Sequence, residues 1–358
     1  MAIGGKTIFD TDAHYVETLY DIVDYIDDND PWKLKFEYGS TTKRSVPISF
    51  WPSLSRPDGY NYPSIKRRDV DFNTREGVVQ LMEEMSFDKI LLLSEQILTF
   101  AMLEEDKRQT KFAEAYTRYM LDKIADADDG MYMSIPVPYN DPEKAADLID
   151  DYANEKAIIG ACVLTARIQP PMGHRKYDPI YDACQRADLP VLFHGGSATL
   201  DNFGWLSGFT TIMETHALGF LFDNMATIAN VVSQGVPEKF PKLDFVFQET
   251  GLFWIPMMMY RMDMEYLRMQ DEAILMRRRP SEYMKEFYYG TQPLEIVPDK
   301  KYFKYVIEML GGPERLMYAS DYPHEDFDDP SAINELTFLT EEEKAGILGK
   351  NAEEVFGV

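Results

Sequence analysis

Short apolar runs alternate along the chain with longer stretches in which apolar residues recur every three or four positions. This is the pattern of strands that are each followed by an amphipathic helix. The runs predicted as strands are Lys6–Phe9, Lys89–Leu93, Met131–Val137, Ile158–Leu164, Pro190–Phe193, Leu243–Phe247, Phe287–Tyr289 and Leu316–Ala319. Most are apolar almost throughout, as expected of strands buried on both faces of a parallel sheet. Helical periodicity predicts Thr74–Met85, Phe112–Ala125, Pro142–Asn154, Pro179–Arg186, Ile212–Ser233 and Lys301–Leu310 between them. The last stretch, Glu341–Val358, reads as a closing helix, with Thr340 as its N-cap and three glutamates in its first turn. Strands alternating with helices predict an α/β fold, a single (β/α)8 TIM barrel that occupies residues 1–358 as one domain.

Two segments exceed what a minimal barrel needs. Thr18–Asp71 follows the first strand and is rich in aromatics and prolines, among them Trp32, Phe36, Tyr38, Phe50, Trp51, Tyr60 and Tyr62. A connection of this length is expected to be functional or to carry structure of its own. It leaves from the face where barrels place their chemistry, so a lid or pocket wall is expected, with an oligomer contact as the alternative. A homo-oligomer, dimer or higher, is the expected assembly. Asp201–Phe209, after the fifth strand, brings Trp205 to the same face.

Composition narrows the partners. Apolar residues make up 45% of the chain and aromatics 13%, enough for a large core. The 36 basic and 61 acidic residues give a net charge of −25, which argues against a nucleic-acid or anionic-membrane partner and leaves a small molecule. No apolar run approaches the ~18 residues of a membrane span. No signal-peptide pattern opens the chain, and two cysteines, Cys162 and Cys184, cannot form a disulfide framework. A cytoplasmic location is expected.

Histidine is scarce, with 5 in the chain, yet three of them fall at the ends of predicted strands. Asp12 and His14 close the first strand, and alternation sends both to the same side. His194 ends the fifth strand, and Asp321 and His324 follow the eighth. Barrel enzymes work at the C-terminal ends of their strands, so the three clusters can converge. Two imidazoles and two carboxylates suit a divalent ion, with Zn2+ expected and Mn2+ or Fe2+ compatible. Singly, each residue has a plainer use as a cap, a turn former or a backbone partner; together they are harder to explain that way. Softer candidates surround them. Glu17 can orient a ligand or lie solvated at a helix start, and His216 can serve as an acid or base. Arg167 can pair a substrate carboxylate, Trp51 and His324 can line the pocket, and Met257–Met259 reads as core.

The segments FDTDAHYVET, VLFHGG, GVPEKFPKLDFVFQETGLFWIP, PSEY, YASDYPHED and ILGKNAEEVFGV resemble the amidohydrolase-related family. The resemblance is to the branch that holds aminocarboxymuconate-semialdehyde and hydroxybenzoate-type decarboxylases alongside hydrolases. It runs from Phe9 to Val358 and is weakest over Thr18–Asp71. It implies a TIM barrel with one metal ion bound by Asp12, His14, His194 and Asp321. The acidic residue in the first-strand pair hardens the site and shifts it toward Mn2+. One position departs from the pattern: Glu249 stands where many relatives carry a histidine. Two reactions fit this ligand set. One is decarboxylation of a small aromatic or unsaturated acid. The other is hydrolysis of an amide, lactone or ester by a metal-activated water, with Asp321 as base. Because all four ligand positions are filled, a non-catalytic subunit is the weakest reading.

Overall fold

Eight strands pair in one parallel sheet whose order follows the chain, β1 beside β2 and so on to β8, and seven of them fall on predicted runs. The strands are β1 (Phe9–Tyr15), β2 (Lys89–Ser94), β3 (Met131–Pro136), β4 (Ile158–Leu164), β5 (Val191–His194), β6 (Phe245–Phe247), β7 (Tyr288–Gly290) and β8 (Leu316–Met317). The computed structural model describes residues 6–17, 19–31, 33, 72–95, 106–165, 168–195, 212–324 and 326–358. Between β8 and β1 the seam is closed by separate contacts: Thr11 N donates to Tyr318 O at 3.0 Å, Asp321 N to Asp12 O at 2.7 Å and His14 N to Tyr322 O at 2.7 Å. The result is a (β/α)8 barrel.

Helices cover the outside. They are α1 (Arg75–Met85), α2 (Asp106–Lys123), α3 (Pro142–Tyr152), α4 (Asp178–Ala187), α5 (Ile212–Ser233), α6 (Trp254–Arg268) and α7 (Lys301–Leu310). α1 shows the local logic. Thr74 caps it by accepting from Gly77 N at 3.0 Å, and Ser86 ends it in the left-handed conformation. Val78, Leu81, Met82 and Met85 recur at helical spacing and are buried. Each contributes about 1.5–3 kcal/mol through burial, so a charge at Leu81 would detach the helix from the sheet. Between sheet and helices, aromatic side chains pack closely: the Phe193 and Phe247 rings lie 5.0 Å apart, and Phe245 meets Tyr181 of α4 at 6.2 Å.

Several boundaries differ from expectation, the second helix for one beginning at Asp106 and not at Phe112, and two of the differences have a clear physical reason. β1 runs from Phe9 to Tyr15 and not from Lys6 to Phe9. Asp10, Asp12 and His14 lie within it, and three buried polar residues hide the strand from an apolar pattern. Its register against β2 shifts between Asp10 and Ala13, a bulge next to the residues that matter. The closing helix is not continuous: α8 (Glu341–Ala345) and α9 (Asn351–Phe356) flank a turn of wider, π-type winding at Gly346–Lys350. There Gly349 approaches β1 so closely that a Cβ would lie 2.7 Å from Thr7 O. Ile347 O turns outward to accept from Tyr318 N at 2.8 Å. Thr340 caps α8 as expected, in a reciprocal pair with Glu343.

Of the long segment after β1, only residues up to 33 are described, apart from 18 and 32. Trp32, Phe36, Tyr38, Phe50, Trp51, Tyr60 and Tyr62 therefore lie outside the described residues, as does the Asp201–Phe209 segment with Trp205. No described helix is long and apolar enough to cross a membrane.

Candidate metal centre

The C-terminal ends of the strands bring Asp12 and His14 (β1), His194 (β5) and Asp321 (after β8) together, with one donor atom from each within 4.8 Å of all the others. All four residues are wholly buried. His14 Nε2 lies 3.6 Å from Asp12 Oδ1 and 3.2 Å from Asp321 Oδ1, and His194 Nε2 lies 3.5 Å from Asp12 Oδ1. Glu249, two residues past β6, adds Oε2 at 3.4 Å from His194 Nε2.

Each donor is aimed by its neighbours. His194 Nδ1 lies 2.7 Å from Gly195 O, which can only accept, so Nδ1 carries a proton and Nε2 faces the cluster. Thr165, just past β4, donates N and Oγ1 to His194 O at 2.8 and 3.0 Å. Gly195 is required because a Cβ there would meet the Phe220 ring of α5 at 2.3 Å. Asp321 is pinned at both oxygens: Gln292 Nε2 donates to Oδ2 at 3.1 Å, and His324 Nδ1 lies 2.7 Å from Oδ1. Ser320 donates N and Oγ to the buried Asp10 carboxyl at 2.8 and 2.5 Å, so the residue before Asp321 is tied to β1.

Backbone strain collects here. Among the described residues, four other than glycine have positive φ. Ser86 and Asp188 are helix C-caps, where this conformation is ordinary. Glu249 (φ 56°) and Asp321 (φ 62°) have no such explanation, and both turn a carboxylate toward the cluster.

The electrostatics are those of an anionic cluster under tension. Burial would lower the His194 pKa, but Asp12 and Glu249 override it and push the imidazole up to about 10. Burial pushes Glu249 well above the usual carboxylate range, with Asp321 adding to the effect and His194 opposing it. For Asp321, burial is overcome by His324 and His14, which hold the carboxyl well below its ordinary value. Both Asp12 oxygens, both His14 nitrogens, His194 Nε2 and Glu249 Oε2 are buried without a hydrogen-bond partner. They sit at ion-pair distance without hydrogen-bond alignment, and leaving such atoms unpaired costs about 1–3 kcal/mol each. A divalent ion fits them. Four donors ~2.1 Å from a tetrahedral ion would lie ~3.4 Å from one another, which matches the separations above.

The amidohydrolase family profile matches residues 94–358, about three quarters of the chain. The chain belongs to the amidohydrolase family. A gamma-resorcylate decarboxylase of Polaromonas sp. strain JS666 is 21% identical over 309 residues, which cover 83% of this chain and 90% of that relative. Among solved structures, an amidohydrolase from Mycobacterium avium subsp. paratuberculosis K-10 superposes with a TM-score of 0.77 at 18% identity, over 99% of this chain and 98% of the other. A dihydroxybenzoic acid decarboxylase from Polaromonas sp. JS666, with bound manganese and the inhibitor 2-nitroresorcinol, gives a TM-score of 0.68 at 18% identity, over 98% and 97%. Membership sets this chain among the metal-dependent enzymes of the superfamily, whose reactions include carboxy-lyase and hydrolase chemistry.

Within this family member, the remaining sequence candidates separate. His324 joins the cluster, its side chain 26% exposed where the four central residues show none. Glu17 is buried and not solvated: it accepts from Ser94 Oγ, and from Glu95 N at 3.2 Å, so it holds the end of β2. His216 lies in the first turns of α5, but its side chain is outside the described residues, as are Arg167 and Trp51 altogether. Met257–Met259 is split, with Met259 buried and Met257 exposed. Sequence reading missed Glu95, whose Oε2 lies 3.2 Å from His324 Nε2 and 3.6 Å from His14 Nδ1, and also Gln292. Glu95 directly follows β2, and Gln292 lies two residues past β7. Listing every polar residue in the first three positions after each predicted strand, and not only the histidines, would have found them.

Proposed function

We propose that this chain is a metal-dependent decarboxylase of a small aromatic acid, with Asp12, His14, His194 and Asp321 as the ligands of one divalent ion. The observation that carries the reading is the convergence of these four buried residues, with the facing atoms of Asp12, His14 and His194 left without hydrogen-bond partners. The decarboxylases among the relatives supply the reaction class. Two carboxylates, with a third on Glu249 beside them, make an oxygen-rich donor set that favours Mn2+, and the manganese of the Polaromonas structure agrees. Zn2+ is the alternative ion. When bound, the ion supplies Lewis-acid charge that holds the substrate's carboxylate and an adjacent oxygen.

The protein's own groups do the rest. His324 is the cluster residue most open to a substrate, and a proton held between its Nδ1 and Asp321 Oδ1 is the one available for transfer. Delivered to the ring carbon that bears the carboxylate, it is followed by cleavage of the carbon–carbon bond. The electron pair returns to the ring, the proton on Asp321 or His324 is regained from solvent, and carbon dioxide leaves. Gln292 keeps the Asp321 carboxylate from rotating away. His216 and Arg167 are proposed to complete the site as an acid–base group and a carboxylate partner, and Trp51 as part of its wall.

A hydrolase remains the second reading, because Glu249 adds a further carboxylate that would repel an anionic substrate and tolerate a neutral one. Burial pushes the Glu249 carboxyl well above the usual carboxylate range, which lessens that repulsion and supports the first reading. The test is to incubate Mn2+-loaded enzyme with hydroxybenzoates and, separately, with lactones and amides, following carbon dioxide and acid release independently. Carbon dioxide from at least one hydroxylated aromatic acid is expected. Acid release from neutral substrates, with no carbon dioxide from any acid, would reverse the assignment.

A further inference from the structure

We infer that Glu95 is a positioning residue that fixes two imidazoles at once, His14 of the proposed ion site and His324 at its opening; this rests on the reading of that cluster as an ion site. The His14 and His324 rings lie 4.4 Å apart with their planes inclined by 31°. Each turns one nitrogen toward Asp321 Oδ1, His14 Nε2 at 3.2 Å and His324 Nδ1 at 2.7 Å. Each turns the other nitrogen toward one oxygen of Glu95, His14 Nδ1 at 3.6 Å and His324 Nε2 at 3.2 Å. Two near-stacked rings therefore span the same two carboxylates. An imidazole that gives Nε2 to a cation must keep its proton on Nδ1, and the acceptor facing His14 Nδ1 is Glu95 Oε2. At 3.6 Å this contact is electrostatic and not yet a hydrogen bond. A carboxylate in that place fixes the ring's tautomer and orientation and makes the ligating nitrogen more basic.

Glu95 is itself held. It is the first residue past β2, its backbone N donates to Glu17 Oε2 at 3.2 Å, and Glu17 also accepts from Ser94 Oγ. The carboxylate thus leaves a strand end that cannot drift, and the same oxygen serves a ligand and the group that meets the substrate. Removing it should loosen the ion and His324 together. None of the barrel's apolar packing depends on it.

Mn2+ affinity of the full-length protein decides the matter, read from the six-line electron paramagnetic resonance signal of free Mn2+, with wild type, Glu95→Gln and Glu95→Ala compared. Losses of about tenfold for Glu95→Gln, which keeps an acceptor oxygen but no charge, and about 100-fold for Glu95→Ala are expected, with metal-free thermal midpoints unchanged. Wild-type affinity in both variants would overturn the inference, and so would losses that track a fall in the metal-free midpoint, since that marks a merely structural role. If Glu95→Ala fails to fold, Glu95→Gln decides alone, tenfold weakening supporting the role and equal affinity refuting it. Failure of the wild type itself to bind Mn2+ would instead overturn the ion-site reading, and this inference with it.

Discussion

Withdrawing the ion by chelation should lower the thermal midpoint by a few degrees while leaving the barrel folded. The sheet is complete in protein hydrogen bonds and its core is apolar, so the ion adds to the native state only its binding linkage. That linkage is about 2.7 kcal/mol at 100 times the dissociation constant and about 4.1 kcal/mol at 1,000 times. For 358 residues the unfolding entropy is about 0.75 kcal/mol per kelvin. The midpoint should therefore rise by about 4 °C and about 5 °C at those two Mn2+ concentrations. Differential scanning fluorimetry of chelated protein titrated with Mn2+ measures the shift, and far-UV circular dichroism at 25 °C checks the fold. His194→Ala should abolish the shift. Loss of the dichroism signal on chelation would mean a structural ion, and a midpoint indifferent to Mn2+ would mean no ion; either result refutes the reasoning.

Three further outcomes follow from the same geometry. Asp321→Asn should cut turnover by about 10²–10⁴-fold with the fold intact, as seen by steady-state kinetics on whichever substrate the panel identifies; retained turnover would remove Asp321 from the chemistry. Gly195→Ala drives a methyl into the Phe220 ring, which should cost about 1–3 kcal/mol in urea denaturation and weaken metal binding by displacing His194; an unchanged variant would show that this contact does not set the strand end. Burial pushes the Asp10 carboxyl from 3.8 up to about 8 despite its bonds from Ser320. A folded value above the unfolded one means that its contribution is full below about pH 4 and lost as pH rises through about 8. Asp10→Asn should therefore gain stability over wild type progressively across that window, and a pH-independent difference would contradict this.

The strands buried on both faces were legible because nothing polar interrupts them. β4 was read to its exact ends, Ile158–Leu164. Legibility failed where function enters a strand, because Asp10, Asp12 and His14 break the apolar run of β1 and shift its apparent position. It failed again at Gly346–Lys350, where the helix widens to meet β1 and Tyr318, a tertiary demand that local periodicity does not encode. At the site, the convergence of the four central residues was legible because histidine is rare and alternation along β1 is simple. Glu95 was not, since one glutamate among 61 acidic residues is marked only by its place just after a strand and gains its meaning from the two rings that converge on it.

The account stands or falls on where an ion binds. Crystals grown from Mn2+-loaded protein, with data collected on either side of the manganese absorption edge, would locate it directly. One anomalous peak per chain is expected, among Asp12, His14, His194 and Asp321 at the C-terminal end of the barrel. No peak there, or a peak held by other residues, would contradict the central claim.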